Sequence, residues 1–485
     1  MPRFPILIAV LACALAAAAP AGAAQPFVIG AGNRPDIDVD ASGAAHVVWN
    51  QPTSDVNKTR VIYCKIPRGA TKCAIKHVLT PPLQSTGHDT YVFNAGAGRI
   101  LIESYRCCET GGPNGNHLYQ SLNGGASFGA PIHIGDIDHE QEAVLGPGDA
   151  ISGIDRSDFQ QMPLAVDSGA QVATLDAGFS VPTYAGLGIF NNSIPVVVKA
   201  DGEHTSFLRY KGSGNVNNES TWIGPTPLTP VGNEPKLAGG PAGLTMVYLV
   251  DRGTKGHQLV ARKFNGTTFG PGVGVSETAD PIFPDLYADR AVGRFNAIWN
   301  DNSGTKDRLK WATSKTGAAW AKPLVITTGG AFDSAYNQRV AAFPSKSGFV
   351  VWDENASDGK VRAVHLLPQG GGPGKPVDSF TAGGKRFTLL QPGLCVPKGD
   401  NVTLQVRTKV LKQVAKNKRV KVGKVVFGVD ANTKTDKTSP YKKSFTTKGF
   451  APKSAHKSKA DVHLKPADGS GAGSTKKLEG SFKIC

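Results

Sequence analysis

The sequence predicts an all-β protein, a six- or seven-bladed β-propeller followed by a smaller β-sandwich. Three observations lead to this prediction. Turn-forming residues are frequent, with 58 Gly and 33 Pro among 485 residues, as short strands joined by many turns require. A hairpin-like unit recurs about every 50 residues along the first three quarters of the chain. The net charge of +16 comes from the last quarter alone.

The repeat is clearest where PDIDVDASGAAHVVWN at residues 35–50 returns as PDLYADRAVGRFNAIWN at residues 284–300. Each copy alternates apolar and polar positions across a glycine-containing turn, which is typical of an antiparallel hairpin. We expect seven blades of four short strands, with six as the alternative because the unit at 139–182 is weak. Residues 25–30 are expected to add the strand that closes the ring. Looser copies lie at 90–104, 234–249 and 338–353, and two weaker ones begin near Glu142 and Tyr184.

The N-terminal residues 1–24 have the layout of a secretory signal peptide. A basic Arg3 precedes an apolar run, and small residues end it at Ala21-Gly22-Ala23-Ala24. No later stretch has the ~18 uninterrupted apolar residues of a membrane helix. We therefore expect a protein that is secreted or held at the cell surface, with no transmembrane segment.

Six cysteines follow the predicted signal peptide, an even number that suits an oxidising compartment. Cys64 and Cys73 flank a turn-like segment and can face each other across a hairpin. Cys395 and Cys485 can join the two ends of the C-terminal part. The adjacent Cys107 and Cys108 form a vicinal disulfide, stay as thiols or pair elsewhere. Neither zinc-type spacing nor a phosphate-loop or dinucleotide motif is present, so no metal or cofactor is predicted.

The charge distribution divides the chain into two parts. Residues 376–485 hold 23 Lys and Arg against 7 Asp and Glu, whereas the rest of the chain holds 31 of each kind. The change follows a Gly/Pro-rich stretch that is typical of a linker. We therefore expect a propeller at 25–368, a linker at 369–378 and a basic domain at 379–485.

Two segments add a resemblance to known families. SLNGGASF at residues 121–128 resembles the Asp-box turn of sialidase-like (bacterial neuraminidase repeat) propellers, and SKTGAAW at 314–320 resembles a shortened copy. The resemblance implies structural turns in which a polar side chain caps the hairpin, a glycine permits positive φ and an aromatic ring packs between sheets. The residues concerned are Ser121, Asn123, Gly125, Phe128, Ser314, Gly317 and Trp320.

The basic tail has its own resemblance. VGKVVFGVDANTKTDKTSPYKKSFTT at residues 422–447 is similar to bacterial Ig-like surface domains. That resemblance implies a C-terminal Ig-like β-sandwich.

Residues just before each innermost strand of a propeller line one mouth of its channel, and these are the candidate binding residues. If the chain shares sialidase chemistry, the resemblance implies Arg34 and Arg339 as carboxylate clamps, Tyr336 with Glu234 as nucleophile pair and Asp89 as acid. The Arg-Ile-Pro motif of that family is absent, and no third arginine is assigned. The full candidate set is Arg34, His88, Asp89, His139, Glu140, Tyr184, Glu234, Asp285, Tyr336 and Arg339.

Asp36, Asp38 and Asp40 have the spacing of calcium ligands, but Ala41 stands where a calcium loop needs glycine. Ile37 and Val39 between them indicate strand alternation, so we expect a strand and turn here rather than a metal site.

Three functions remain open on the sequence. We favour non-catalytic binding of a glycan or an extracellular protein at the channel mouth, over an exo-acting glycoside hydrolase of sialidase type and over a scaffold without a small ligand. The basic tail is expected to bind an anionic cell-wall polymer or only to aid solubility. Nucleic acid is not the expected partner, since the tail has few aromatic residues for stacking bases.

Overall fold

A computed structural model describes most of the chain. The described ranges are 26–54, 58–79, 83–84, 89–106, 115–135, 141–155, 158–162, 173–178, 184–277, 280–289, 293–303, 308–326, 335–343, 347–354, 359–366, 375–392, 396, 401–415, 418–451, 454–469 and 472–484. Three calls of the sequence lie wholly outside them: the signal peptide, the Cys107-Cys108 pair and the Cys395 to Cys485 clamp.

Antiparallel sheets built around four strands follow one another along residues 27–366, and the described residues form seven of them, numbered here as blades 1 to 7. The first strand of the described residues is β1 (Phe27–Ala31), which belongs to the last blade. Blade 1 has β2 (Asn33–Val39), β3 (Ala45–Pro52), β4 (Lys58–Ile66), β5 (Ile75–Val78) and the short β6 (Leu83–Gln84), which pairs with β4. Blade 2 has β7 (Thr90–Gly96), β8 (Arg99–Arg106), β9 (Gly115–Ser121) and β10 (Ile132–Gly135). Blade 3 has β11 (Glu142–Leu145), β12 (Ile151–Ile154), β13 (Asp158–Met162) and β14 (Ala173–Thr174).

The later blades keep the same strand order. Blade 4 has β15 (Tyr184–Phe190), β16 (Ile194–Ala200), β17 (Thr205–Tyr210) and β18 (Trp222–Pro227). Blade 5 has β19 (Asn233–Gly240), β20 (Gly243–Asp251), β21 (His257–Phe264) and β22 (Val273–Gly274). Blade 6 has β23 (Pro281–Ala288), β24 (Phe295–Asp301), β25 (Arg308–Ser314) and β26 (Leu324–Val325). Blade 7 has β27 (Ala335–Phe343), β28 (Ser347–Glu354) and β29 (Lys360–Leu366), completed by β1. Short 3-10 helices lie at Pro147–Asp149, Glu219–Thr221 and Gly253–Lys255.

The ring is closed by its two ends, as the sequence predicted. Strand β1 pairs antiparallel with β29, with Phe27 opposite Ala363. The first strand of each blade contacts the first strands of both neighbours, and β27 returns to β2. These seven first strands therefore surround a central channel, which makes the fold a β-propeller.

The aromatic residue that ends each clear repeat fills the space between blades. Trp49, Trp299 and Trp352 are buried on the second strands of blades 1, 6 and 7. Each belongs to a hydrophobic cluster shared with the preceding blade, as Trp352 does with Ile298 and Leu309. The Trp49 ring needs glycine beside it, since a Cβ on Gly32 would overlap the indole. Burial of these large rings stabilises the contact between neighbouring blades.

Residues 375–484 form two further sheets that enclose one hydrophobic core. The first sheet has the order β30 (Lys375–Ala382), β31 (Lys385–Gln391), β32 (Asn401–Val410) and β35 (Lys442–Thr446). The second has the order β34 (Asn432–Asp436), β33 (Val420–Val429), β36 (Ala455–Pro466) and β37 (Ser474–Lys483). Two antiparallel sheets around one core make a β-sandwich, and its Ig-like assignment stays a prediction.

Candidate functional site

A left-handed bulge repeats at the start of the innermost strands. Arg34, Glu234, Phe283 and Asn337 have φ of 50°, 49°, 50° and 47°, a conformation that side chains other than glycine seldom adopt. The strand register shifts at the same place in each of these four blades. Two residues further along come Asp36, Lys236, Asp285 and Arg339. The bulge therefore fixes which residue of each innermost strand lies at one level of the channel.

Polar and charged side chains meet at that level and form what we term the central layer. The members come from six of the seven innermost strands, and all but Tyr91 take part in the contacts described below. They are Asp36, Tyr91, Glu142, Lys236, Asp285 and Arg339. Blade 4 lies between Glu142 and Lys236, and its innermost strand carries Gly186 and Gly188.

Arg339 lies at the centre of this layer. Its Nε is 3.7 Å from Asp36 Oδ1, one terminal nitrogen is 3.7 Å from Asp285 Oδ1 and the other is 3.8 Å from Asp89 Oδ2. Burial by itself lowers the pKa of the guanidinium, but the charges of Glu142 and Asp285 outweigh this effect, and the pKa lies well above its usual value. Only 15% of the side chain is exposed, so the charge is held by protein partners rather than by water.

Two carboxyl groups beside Arg339 also hold the blades together. The Val92 N–H of blade 2 donates to Asp36 Oδ2 at 2.8 Å, and the Val340 N–H of blade 7 donates to Asp285 Oδ2 at 2.7 Å. This explains the Pro-Asp dipeptide of the two clearest repeats. Burial raises the pKa of Asp36 to about 8, against the opposing charge of Arg339, and burial likewise raises the pKa of Asp285. At neutral pH Asp36 therefore retains its proton.

A second ion pair crosses the layer. Lys236 Nζ of blade 5 lies 2.6 Å from Glu142 Oε2 of blade 3, two blades away. Both side chains are largely buried, at 17% and 14% exposed. Blades 3 and 5 are not adjacent in the ring, so the pair contributes to closure of the ring as well as to the charge of the channel.

The channel widens on one side of the central layer into a cavity of about 440 Å³. Its wall runs from Asp36, Glu142 and Arg339 to the turns that join first and second strands, at Gly146–Asp149, Asn192 and Gly240–Pro241. Tyr91, Phe93 and Tyr287 contribute aromatic rings to the wall. The volume is within the range of small-molecule sites in proteins.

The opposite side, where the sequence placed the site, is narrow between the described residues. Arg34 and one oxygen of Asp89 are 3.2 Å apart, and the Arg34 N–H donates to Asp353 Oδ2 at 2.7 Å. The space enclosed by Arg34, Asp89, Asn337 and Arg339 is about 10 Å³, enough for about one water molecule. Between the described residues, the wider space thus lies on the other side of the central layer from Arg34 and Asp89.

The structure brings some of the predicted site residues together and separates others. Arg34, Asp89 and Arg339 form one contiguous ion cluster. Asp285 lies one step deeper, level with Asp36, because the bulge of blade 6 falls at Phe283. His88, His139, Glu140 and the side chain of Tyr336 lie outside the described residues.

Glu234 is engaged at the edge of the site. The Phe283 N–H of blade 6 donates to Glu234 Oε2 at 3.0 Å. Burial raises the pKa of Glu234, and burial together with the charge of Glu234 raises the pKa of Tyr184. A raised pKa keeps Tyr184 in its protonated, weakly nucleophilic form.

Four members of the central layer were missed by the sequence reasoning: Asp36, Tyr91, Glu142 and Lys236. Asp36 was treated only as a strand residue, and the strand-and-turn prediction itself is confirmed. Asp36 and Asp38 lie in β2, and Asp40 accepts from the Ser42 and Ala44 N–H groups of the following turn. A signal for these positions was present in the sequence, because proline followed by a charged residue occurs at the same place in three repeats: Pro35-Asp36, Pro235-Lys236 and Pro284-Asp285.

The two polar turns that carried the family resemblance have comparable hydrogen bonds. Ser121 Oγ accepts from the Gly125 N–H at 2.9 Å, and Ser314 Oγ accepts from the Gly317 N–H at 2.8 Å. Asn123 Oδ1 also accepts from the Ser127 N–H at 2.9 Å. These bonds fix the chain between the third and fourth strands of blades 2 and 6.

An aromatic ring follows each turn and packs toward the preceding blade. Phe128 meets Tyr63 edge to face, with centroids 4.8 Å apart, and Trp320 packs on a cluster that contains blade 5 residues. Trp222 against Phe159 and Phe269 against Phe207 repeat the arrangement in blades 4 and 5, where no Asp-box resemblance was identified. In blade 1 the same segment carries the predicted disulfide between Cys64 and Cys73, which is confirmed.

Neither a metal-binding cluster nor a membrane-spanning helix is found among the described residues. No three His, Cys, Asp or Glu side chains are grouped so that they could hold a metal ion. None of the helices in the described ranges has the length and apolar composition of a membrane span.

No family model matches the chain, and no curated protein sequence matches it. Among solved structures, the BP39L lectin of Burkholderia pseudomallei aligns with a TM-score of 0.48 and 13% identity over 69% of this chain and 96% of the lectin. An α-L-arabinanase of Penicillium chrysogenum aligns with a TM-score of 0.42 and 12% identity over 72% and 98%. A protein of unknown function from Dyadobacter fermentans gives 0.41 and 12% over 70% and 97%. The propeller assignment accordingly rests on the sheet topology above, and the sialidase-like resemblance stays a prediction.

Proposed function

We propose that the protein is an exported, non-catalytic binder of neutral glycans, which it holds in the 440 Å³ channel cavity. The observation that carries the proposal is the make-up of the cavity wall. Asp36, Glu142, Asp285 and Arg339 place hydrogen-bond acceptors and donors beside the rings of Tyr91 and Tyr287. Sugar hydroxyl groups both donate and accept, so they suit such a wall.

The charge of the site favours a neutral ligand over an acidic one. Asp89 and Asp285 already pair with Arg339, and Asp89 also pairs with Arg34. A sialic acid carboxylate would have to displace these internal partners and would face further acidic groups. The two arginines that the resemblance assigned as carboxylate clamps are therefore better explained as internal counter-ions.

The positions of the predicted catalytic groups support binding rather than turnover. Glu234 bonds to the backbone of blade 6 and is not among the residues that line the cavity. Asp89 is held by two arginines on the narrow side of the layer. Neither of these two carboxylates lines the space that is large enough for a sugar.

The test is calorimetric titration of the full chain with a panel of neutral and sialylated oligosaccharides. Leu145→Trp fills the cavity near its open end, and Glu142→Gln changes one acceptor while retaining its shape. We expect each variant to weaken neutral-glycan binding by about tenfold or more. Glu219→Gln, at an exposed carboxylate far from the cavity wall, is the matched control. Unchanged affinity in the Leu145→Trp protein, or preference for sialylated ligands, contradicts the proposal.

A glycoside hydrolase is the second candidate, favoured by one observation. Asp36 keeps its proton to about pH 8 beside other carboxyl groups, which is the state that a general acid requires. Mass spectrometry of the same glycans after incubation separates the two functions. Cleavage products that disappear in Asp36→Asn would replace the binding proposal with this one.

A further inference from the structure

The outward surface of the first sandwich sheet carries a cluster of cations, here termed the basic face. It consists of Arg386 on β31, Arg407 and Lys409 on β32, and Lys442 on β35, all exposed. The alternate residues of these strands, among them Phe387, Leu389 and Val406, are buried in the core. Because successive side chains of a strand point to opposite faces, the four cations share the solvent side.

The strand register brings these cations close to one another. Arg386 lies opposite Lys409, and Arg407 lies opposite Thr388. Lys442 lies opposite Gln405. Neighbouring strands are about 4.8 Å apart and alternate residues of a strand about 7 Å apart. The basic face is therefore a compact patch that crosses three adjacent strands.

Among the described residues, carboxylates lie on the outward face of the second sheet but not on the basic face. No ion pair joins Arg386, Arg407, Lys409 or Lys442 to a carboxylate of the described residues. On the outward face of the second sheet, Asp461 lies opposite Lys477, and Glu479 lies opposite Lys459. The same basic domain thus has one face with mixed charge and one with cations alone, which is a feature of an anion-binding surface.

The chemistry between the cations indicates the class of anion. Thr388, Thr403, Gln405 and Ser444 supply hydroxyl and amide groups on the same side, and Thr403 and Ser444 are 2.8 Å apart. The aromatic rings of these strands, at Phe387 and Phe445, are buried in the core. A face without exposed rings offers no platform for stacking bases, whereas hydroxyl groups and spaced cations suit sugars that carry acidic groups.

We propose that the basic face binds a linear acidic polysaccharide, independently of the channel site. The experiment compares the full chain with a face variant, Arg386→Gln, Arg407→Gln, Lys409→Gln and Lys442→Gln combined. A charge-matched control carries Lys421→Gln, Lys457→Gln, Lys465→Gln and Lys477→Gln on the second sheet, where all four lysines are exposed. The probes are polygalacturonate and heparin, with dextran and double-stranded DNA as comparisons.

We expect both acidic polysaccharides to bind the full chain at low salt and to be released as salt rises. The face variant should lose about tenfold or more in affinity, and the control about threefold or less. Equal losses in the two variants would mean that net charge alone is responsible, and tighter binding to DNA than to either polysaccharide would mean the wrong polymer. Either result, or no binding of the acidic polysaccharides, overturns the proposal. Neutral-glycan binding at the channel should be unaffected in both variants.

Discussion

Arg339 and Arg407 are two arginines in opposite environments, one buried and one exposed. Arg339 lies inside the propeller channel, 15% exposed and within 3.8 Å of three carboxyl groups. Arg407 lies on an open sheet face of the sandwich, with no carboxylate of the described residues paired to it. A buried cation that has partners is part of the structure, since removing it leaves uncompensated charge. An exposed cation without partners adds little to stability and remains available to a ligand.

The largest effect is expected from Arg339→Gln. The substitution leaves Asp285 without its arginine and Asp89 with Arg34 alone, and removing one partner from a buried ion cluster costs about 3–5 kcal/mol. Thermal or urea unfolding followed by tryptophan fluorescence measures it. All six tryptophans lie in the propeller, at Trp49, Trp222, Trp299, Trp311, Trp320 and Trp352, so the signal reports on that part of the chain.

A double variant decides whether charge is the cause. Adding Asp285→Asn to Arg339→Gln removes the carboxylate that has lost its arginine. The Asn oxygen can still accept from the Val340 N–H. We expect the double variant to be more stable than Arg339→Gln alone. If adding Asp285→Asn instead lowers the free energy of unfolding again, by as much as Arg339→Gln did alone, then packing rather than charge explains the first result.

A smaller, pH-dependent effect is expected from Asp36→Asn. The folded protein raises the pKa of Asp36 from 3.8 to about 8, so between these values the folded state binds a proton that the unfolded state has lost. Stability due to this group therefore falls as pH rises from about 4 to about 8. Asparagine does not titrate and can still accept from the Val92 N–H. The difference in melting temperature, Asp36→Asn minus the parent protein, should increase by about 5 °C between pH 5 and pH 8. A constant difference across this range contradicts the shifted pKa.

The fold was predictable because it repeats. The same contacts between blades are made twice, by Asp36 and Trp49 and by Asp285 and Trp299. The same physical requirement therefore favours the same residue types in both repeats. Blades 3 and 4 gave weak signals. Blade 3 has short strands, and blade 4 begins without the register shift that accompanies the bulge in blades 1, 5, 6 and 7.

The site was less predictable because its geometry depends on a local bulge. Reasoning from strand starts placed Asp285 level with Arg34, but two residues separate the bulge from the central layer in every blade that has one. The width of the channel between the described residues also depends on ion pairs such as Arg34 with Asp89, and these pairs join residues far apart in the sequence. The acidic residues of the channel can be read from the sequence, but their pairing with Arg339 and Lys236 is seen only in the folded ring.

The smallest effect on stability is expected from Arg407→Gln, the counterpart of the first prediction. Its exposed guanidinium faces water and Thr388, so the free energy of unfolding should change by no more than about 0.5 kcal/mol. Scanning calorimetry is the appropriate measurement, because the sandwich has no tryptophan. Binding of polygalacturonate at low salt should nevertheless weaken by about two- to threefold. A loss of stability comparable to that of Arg339→Gln would show that this arginine, too, has a structural partner, and the contrast between the two regions would no longer hold.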